Sequence, residues 1–520
     1  MTVKRDARGD SAATLHDAAE IAGRAAAGDL PPPALGPALR SGAVYVATSA
    51  FGRGIVFLLL PVYTRVLDPA AYGRLSVLLA IAALAVIVLS CGMDTAFFRS
   101  YFALRDDPEQ QRRFVTTVWI FLLAVPPAGA ALLALAAAPI FAGSEVVPAG
   151  ELALALAGAA IFVSATVVPL SLLRAEERLR DFVVLTTVTG VATAGFTLGA
   201  VVVLDGGVMG WLVAVVAANA VTLAVAVRLI PLRLDSGVDR RLLHGALALG
   251  LPLTPHVLSH WGLGISNRLV LTGIVSTSQV GVYALAANIA LPVAIVMQSM
   301  GNAFMPTYAR AATEGAALAA LRRVIIVQYL MVLAVATLGA LVGPIAVRFL
   351  AAPEYTAAAG LVPWIAAGYG LLGLYFLPMN AVVLTEGRAG KVWIATLSAA
   401  AVNLACLLAL VPVFGLVGAA MAVTVGYLVL LVGVGIYSHG PGNPVRYEWG
   451  RLARGALVFA AVYVAAVATS GDRAVVDLCI RLGWLALVPA LLVVAGVVDR
   501  GHLAATARRL SRRRRLAASV

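Results

Sequence analysis

Charge is what this sequence has least of. Only 12% of its 520 residues are Asp, Glu, Lys or Arg, about half the share of a soluble globular chain. Cysteines number three. Cys91, Cys406 and Cys479 fall inside apolar runs without metal-ligand spacing, so they read as small core residues. A phosphate-binding loop is missing too. Gly387-Arg388-Ala389-Gly390-Lys391 runs straight into Val392 without the needed spacing, which argues against energy from bound ATP. The first 40 residues contain no apolar stretch ahead of Pro31-Pro32-Pro33, so no signal peptide is expected. That polar segment reads as a disordered cytoplasmic tail.

Apolar residues, by contrast, make up 61% of the chain, and mean hydropathy is +0.96. They fall in blocks of about 20, the length that crosses a hydrocarbon core of about 30 Å. Spans are expected near 41–64, 75–98, 114–138, 152–173, 182–204, 211–231, 246–272, 281–305, 324–349, 358–384, 392–411, 414–437, 455–470 and 482–498. The fold class is therefore an all-α polytopic membrane protein of about 14 transmembrane helices. Glycine, at 49 residues, suits close helix contacts in such a bundle.

The net charge of +13 does not point to nucleic acid, because most of the 38 basic residues sit in the tails and in every second loop, all on the inside. The amino tail holds Lys4, Arg5, Arg8, Arg24 and Arg40, and the carboxyl tail holds Arg500, Arg508, Arg509 and the run Arg512 to Arg515. Arg65, Arg74, Arg348, Arg473 and Arg481 are assigned to outside loops, whereas Arg53 and Arg268 lie inside spans. This alternation predicts a multi-pass protein of the inner (cytoplasmic) membrane with both termini cytoplasmic. The terminal arginine run reads as an anchor to anionic lipid headgroups.

The first and seventh spans look alike. Ser49-Ala50-Phe51-Gly52-Arg53-Gly54 aligns with Ser259-His260-Trp261-Gly262-Leu263-Gly264, and the stretch Thr64 to Gly73 aligns with Thr272 to Gly281. Ala96-Phe97-Phe98-Arg99-Ser100-Tyr101 pairs with Ala303-Phe304-Met305-Pro306-Thr307-Tyr308. Spans 1–6 and 7–12 thus read as two parallel six-helix repeats around a central cavity, an architecture for alternating access, plus two extra helices. The expected organisation is a tail over 1–40, an N-lobe over 41–231, a C-lobe over 232–437, spans 13–14 over 438–500 and a basic tail over 501–520.

The run Leu58-Leu59-Leu60-Pro61-Val62-Tyr63-Thr64-Arg65-Val66-Leu67-Asp68-Pro69, followed by Tyr72-Gly73, resembles the opening of the oligosaccharide (polysaccharide) flippases of the multidrug/oligosaccharidyl-lipid/polysaccharide exporter superfamily. Gly250-Leu251-Pro252-Leu253-Thr254-Pro255, then Ser266-Asn267-Arg268-Leu269-Val270-Leu271 and Gly281-Val282-Tyr283, resemble that family's second-half opening. The family commonly has an aspartate where this chain has Asn267. The resemblance implies a two-lobed bundle that moves a polyprenyl-diphosphate-linked glycan from the inner to the outer leaflet for a cell-surface polysaccharide such as exopolysaccharide or O-antigen. Its implied partners are that lipid-linked glycan, membrane lipids, a proton or sodium ion for coupling, and the glycan polymerase and glycosyltransferases of the same pathway.

Arg53 sits in mid-span, where a charge costs a few kcal/mol and normally faces a cavity or a partner. A guanidinium forks well onto phosphate oxygens; the competing reading is an arginine satisfied by helix carbonyls or by Asp94. Arg268, beside Asn267, is placed to receive a diphosphate late in the cycle or to snorkel to the interface. Arg99 reads as a substrate contact or a positive-inside anchor. Asp94 reads as a coupling-ion site, a partner of Arg53 or a wet span end. His256 and His260 share one helix face, lining a polar cavity or bonding neighbouring helices, with a proton role open. No Glu follows His256, so no metal is expected. Gln298 and Asn302, with Asn288, Asn380 and Asn403, read as interhelical hydrogen-bond glue or sugar contacts. No catalytic residue and no cofactor is expected. The rival functions are a cation-coupled drug or metabolite antiporter of the same superfamily, which would want an acidic cavity, a peptidoglycan-precursor flippase, which differs only in cargo, and a membrane-embedded glycan polymerase or transferase, whose long loops and catalytic constellation are absent from the sequence.

Overall fold

A computed structural model describes residues 59–498 except 145, 232–236, 314, 383–391, 440–444, 446 and 472. The described chain is helical from end to end. Among the described residues, twelve helices are long and apolar enough to cross a membrane. The seventh expected span is in pieces, and only the last turns of the first belong to the described residues.

Local chemistry sets the breaks. Helix α1 (Leu60–Val66) closes the first span. Asp68 then caps α2 (Pro69–Ser90), its carboxylate accepting from the Ala71 amide at 2.7 Å, with Pro69 at the first helical position. Cys91 and Gly92 both take left-handed backbone angles and end α2, and α3 (Met93–Ala103) continues the second span after this bend. Next come α4 (Pro108–Ala137), capped by Asp107, then α5 (Ala149–Ala175), α6 (Leu179–Leu198) and α7 (Gly207–Leu229). Asp107 accepts from the Gln110 and Glu109 amides, and the Gln110 bond first among these holds its carboxyl below the usual range.

The seventh span, expected as one helix over 246–272, is instead α8 (Arg240–Gly250), a tight turn at Leu251–Leu253, α9 (Thr254–Gly264) and the short α10 (Asn267–Leu271). Pro252 has no amide hydrogen and cannot continue the ladder. This break lies against the bend of the second span. A Cβ on Gly92 would clash with the Gly250 carbonyl, and one on Gly250 with the Cys91 carbonyl.

Five further spans form the second set: α11 (Thr277–Thr313), α12 (Gly315–Leu350), α13 (Val362–Val382), α14 (Val392–Phe414) and α15 (Leu416–Ser438). Neighbour relations in the two sets correspond. Helix α5 packs on α2, α4 and α7 as α13 packs on α11, α12 and α15, and α6 rests on α7 as α14 rests on α15. The sets meet along α2, which touches α9, α10 and, most extensively, α11.

Helices α16 (Trp449–Ala468) and α17 (Ala474–Val494) pack on each other and on α12. Arg481, expected in an outside loop, lies within α17 and is buried. Its Nε donates to Asp477 at 2.8 Å and another arm donates to the Leu341 carbonyl at 2.8 Å. Pairing makes the charge tolerable inside the apolar block. The bundle's surface carries large apolar side chains such as Leu135, Ile436 and Val464, which is sensible when the solvent is lipid.

Candidate functional site

The site is built where α1, α2, α10 and α11 converge. Asn267 anchors α10. It is buried; its amide donates to the Tyr283 hydroxyl at 3.2 Å, and its carbonyl oxygen accepts from the Asn403 amide at 2.8 Å. Adjacent helical residues point about 100° apart, so with Asn267 turned into the second set, Arg268 turns toward the first.

Arg268 neither snorkels nor pairs with an acid. Its guanidinium donates to the Asn288 side-chain oxygen at 2.9 Å, and the Asn288 amide donates to the Tyr72 hydroxyl at 2.7 Å. Arginine has donors only, so the amide's oxygen must face it and the NH2 must face Tyr72. A polar chain therefore crosses from α10 through α11 to α2. The Arg268 Nε is buried and has no hydrogen-bond partner. An unmade bond of this kind costs about 1–3 kcal/mol, more for a charged group.

Arg268 also borders a cavity of about 180 Å³ shared with Tyr63, Tyr72, Ser76, Trp211 and Asn288. Tyr63 meets Trp211 edge-on, ring centres 4.2 Å apart, and its hydroxyl shares a 2.7 Å hydrogen bond with Thr197. The described residues that border it include no carboxylate, so Arg268 leaves it cationic. A cation with an unpaired donor, beside aromatic walls and hydroxyls, is suited to an oxyanion carrying a polyol or sugar. The larger cavities, about 790 Å³ beside Trp449 and about 430 Å³ beside Phe459, are walled mainly by apolar side chains and suit hydrocarbon rather than a charged group.

Just beyond the cationic cavity, toward the end of the bundle that the charge pattern assigns to the outside, the two sets are closed on each other. The Tyr355 hydroxyl donates to the Leu67 carbonyl at 2.9 Å, Thr64 reaches the Leu350 carbonyl at 3.4 Å, and the Tyr72 and Tyr355 rings meet edge-on at 5.9 Å. Burial, followed by Tyr72, Asp68 and Glu354 nearby, pushes the Tyr355 phenol well above its ordinary range, so it remains a donor.

The other expected site residues are scattered. Asp94 and Arg99 lie on α3 and are exposed, as are Gln298 and Asn302 on α11. Arg53, and the roles expected of the His256 and His260 side chains on α9, lie outside the described residues. Two acids are buried within helices among the described residues: Glu151, on α5, against Arg74 at 3.3 Å, and Asp477 against Arg481. In the sequence Tyr72 stands out only as part of a family-like run, and Trp211 carries no signal at all.

The architecture of this bundle, with a cationic cavity at the meeting of two helix sets, is that of the multidrug/oligosaccharidyl-lipid/polysaccharide exporter superfamily. A family model described as polysaccharide biosynthesis protein matches residues 62–359, and the chain belongs to that family. No curated protein sequence matches it. Among solved structures, an inward-facing multidrug resistance MATE transporter is 16% identical, with a TM-score of 0.61 over 74% of this chain and 93% of that one. The lipid II flippase MurJ, in an inward closed conformation, is 11% identical, with a TM-score of 0.64 over 88% of this chain and 100% of that one. At such identities the likeness establishes the fold.

Proposed function

We propose that this protein is a flippase carrying a polyprenyl-diphosphate-linked oligosaccharide from the inner to the outer leaflet of the cytoplasmic membrane for cell-surface polysaccharide synthesis. The observation that carries this reading is Arg268, a half-buried guanidinium whose Nε edge has no hydrogen-bond partner, at the junction of the two helix sets beside a cavity walled by Tyr63, Tyr72 and Trp211. A diphosphate supplies the oxyanion that such an edge accepts, and the aromatic walls and hydroxyls suit the first sugar. The family, polysaccharide biosynthesis protein, supports a glycan cargo. Its glycosyltransferases would load the carrier and its polymerase would use the delivered glycan. The antiporter reading wants a free carboxylate in the cavity; Glu151 and Asp477, the acids buried among the described residues, are each paired with an arginine.

The test is genetic and biochemical. The gene is deleted in its host, lipid-linked glycan on the inner leaflet is quantified, and the strain is complemented with wild type, Arg268→Ala or Arg53→Ala. Accumulation of one glycan carrier, cured by wild type and not by Arg268→Ala, is the expected result, and the sugars that accumulate identify the cargo. Absence of accumulation, with sensitivity to cationic drugs, would replace this reading with the antiporter.

A further inference from the structure

The hydrogen-bond chain Arg268–Asn288–Tyr72 does more than fill space. Asn288 has one oxygen and one NH2, and the two are committed to different helix sets. The oxygen accepts from Arg268 at 2.9 Å within the second set, and the NH2 donates to Tyr72 at 2.7 Å on the first. What orients the amide is the guanidinium: rotated by a half turn, Asn288 would aim its NH2 at Arg268, donor against donor. The contact across the seam therefore depends on Arg268 holding the amide oxygen.

We propose that Asn288 is a relay that ties occupancy of Arg268 by a phosphate-bearing headgroup to release of the closed seam at Tyr72. An oxyanion that takes both edges of the guanidinium fork removes the donor that orients Asn288. The amide is then free to turn, and the Tyr72 bond loses its fixed partner. The seam that this bond helps close is the one strapped by Tyr355 to the Leu67 carbonyl and by Thr64 to the Leu350 carbonyl. The cavity's size adds a reason for release. About 180 Å³ accommodates a phosphate group or one sugar ring but not a diphosphate-linked oligosaccharide, so a cargo that reaches Arg268 needs the two sets to part. A ligand shifts such an equilibrium only by its preference for one state, and competition for the guanidinium supplies that preference. The inference rests on the flippase reading only in its choice of anion.

The experiment uses the full chain in nanodiscs, with its three native cysteines replaced by serine and spin labels at Arg65→Cys and Thr356→Cys. Both positions are exposed and flank the Tyr355–Leu67 strap from opposite sets. The probe is inorganic pyrophosphate, with sodium chloride at matched ionic strength as control, and the readouts are the inter-label distance distribution and pyrophosphate binding by calorimetry. In the wild type, pyrophosphate is expected to raise the population at long distance about fivefold, the shift that follows from one hydrogen bond. Tyr72→Phe and Asn288→Ala are expected to show that population without the probe, while still binding it. Asn288→Asp is expected to do the opposite: its carboxylate accepts from both Arg268 and Tyr72, so the seam stays closed and pyrophosphate is refused. Binding to the wild type with no change in distance, or an undiminished response in Tyr72→Phe, would overturn the relay and leave the anion site standing. Failure of the wild type to bind pyrophosphate at all would overturn both.

Discussion

Gly73 and Gly281 face each other where α2 crosses α11, and the crossing has room for hydrogen atoms only. A Cβ on Gly73 would run into the Thr277 carbonyl oxygen, and one on Gly281 into the Pro69 carbonyl oxygen. The two glycines occupy corresponding places in the two sequence repeats, each following a tyrosine or preceding one within the same short run, Tyr72-Gly73 and Gly281-Val282-Tyr283. Backbone meets backbone here, next to Tyr72 on α2 and about two turns before Asn288 on α11, with no side chain able to move aside.

Alanine at either glycine should therefore force the seam apart rather than be absorbed. Gly73→Ala and Gly281→Ala are each expected to lengthen the distance between labels at positions 65 and 356 and to lower glycan delivery at least about tenfold, by disfavouring the closed state. Alanine at Gly195, whose added Cβ meets nothing, is the control. Normal transport by Gly73→Ala would show that this crossing need not close.

Arg268 should not be replaceable by lysine. Lysine keeps the charge but presents a point donor in place of a fork, so it is expected to restore only part of the flux lost in Arg268→Ala, with accumulated inner-leaflet carrier lying between wild type and Arg268→Ala. Full restoration would reduce the role of Arg268 to charge alone.

The Asp477–Arg481 pair predicts an asymmetry in stability. Removing Asp477 leaves a buried guanidinium with only the Leu341 carbonyl, and breaking a buried pair from one side costs about 3–5 kcal/mol. Asp477→Ala should lower the melting temperature of the detergent-solubilised protein more than the double change Asp477→Leu with Arg481→Met, which removes both charges. Equal loss in the two would mean that the pair itself, not the stranded charge, carries the stability.

Asp107 predicts a pH dependence confined to the start of α4. Its carboxyl is held below its ordinary value by the Gln110 and Glu109 amides. A group with a depressed folded pKa stabilises above its unfolded pKa, and that contribution is lost as pH falls through the folded one. Amide exchange at Glu109 and Gln110 should thus accelerate, relative to the intrinsic rate, only in the acid range below the usual aspartate pKa. Asp107→Ala should show the faster exchange at all pH values.

Much of the architecture was legible because hydrophobic blocks and loop charge obey one-dimensional rules. Twelve helices fall where twelve of the spans were placed, and the neighbour pattern of α5 repeats in α13 as the aligned runs implied. The one-dimensional rules fail where a span is not a simple helix. Gly250 and Pro252 lie in an apolar stretch, so hydropathy carries the seventh span straight through a break that backbone chemistry imposes. They fail again at Arg481, whose position near a span end resembles a loop, because its partners lie four residues earlier and on α12.

The sequence by itself determined that the chain is a bundle of membrane helices, which family it resembles, and that Arg268 is a charge inside a span, because each follows from composition and order along the chain. Only the tertiary structure decided what Arg268 touches. Its partner Asn288 reaches Tyr72 across 216 positions of sequence, and neither residue's type or spacing announces the other. Hydrogen-bond partners inside a membrane are chosen by which helix faces pack together, and that is a property of the folded bundle.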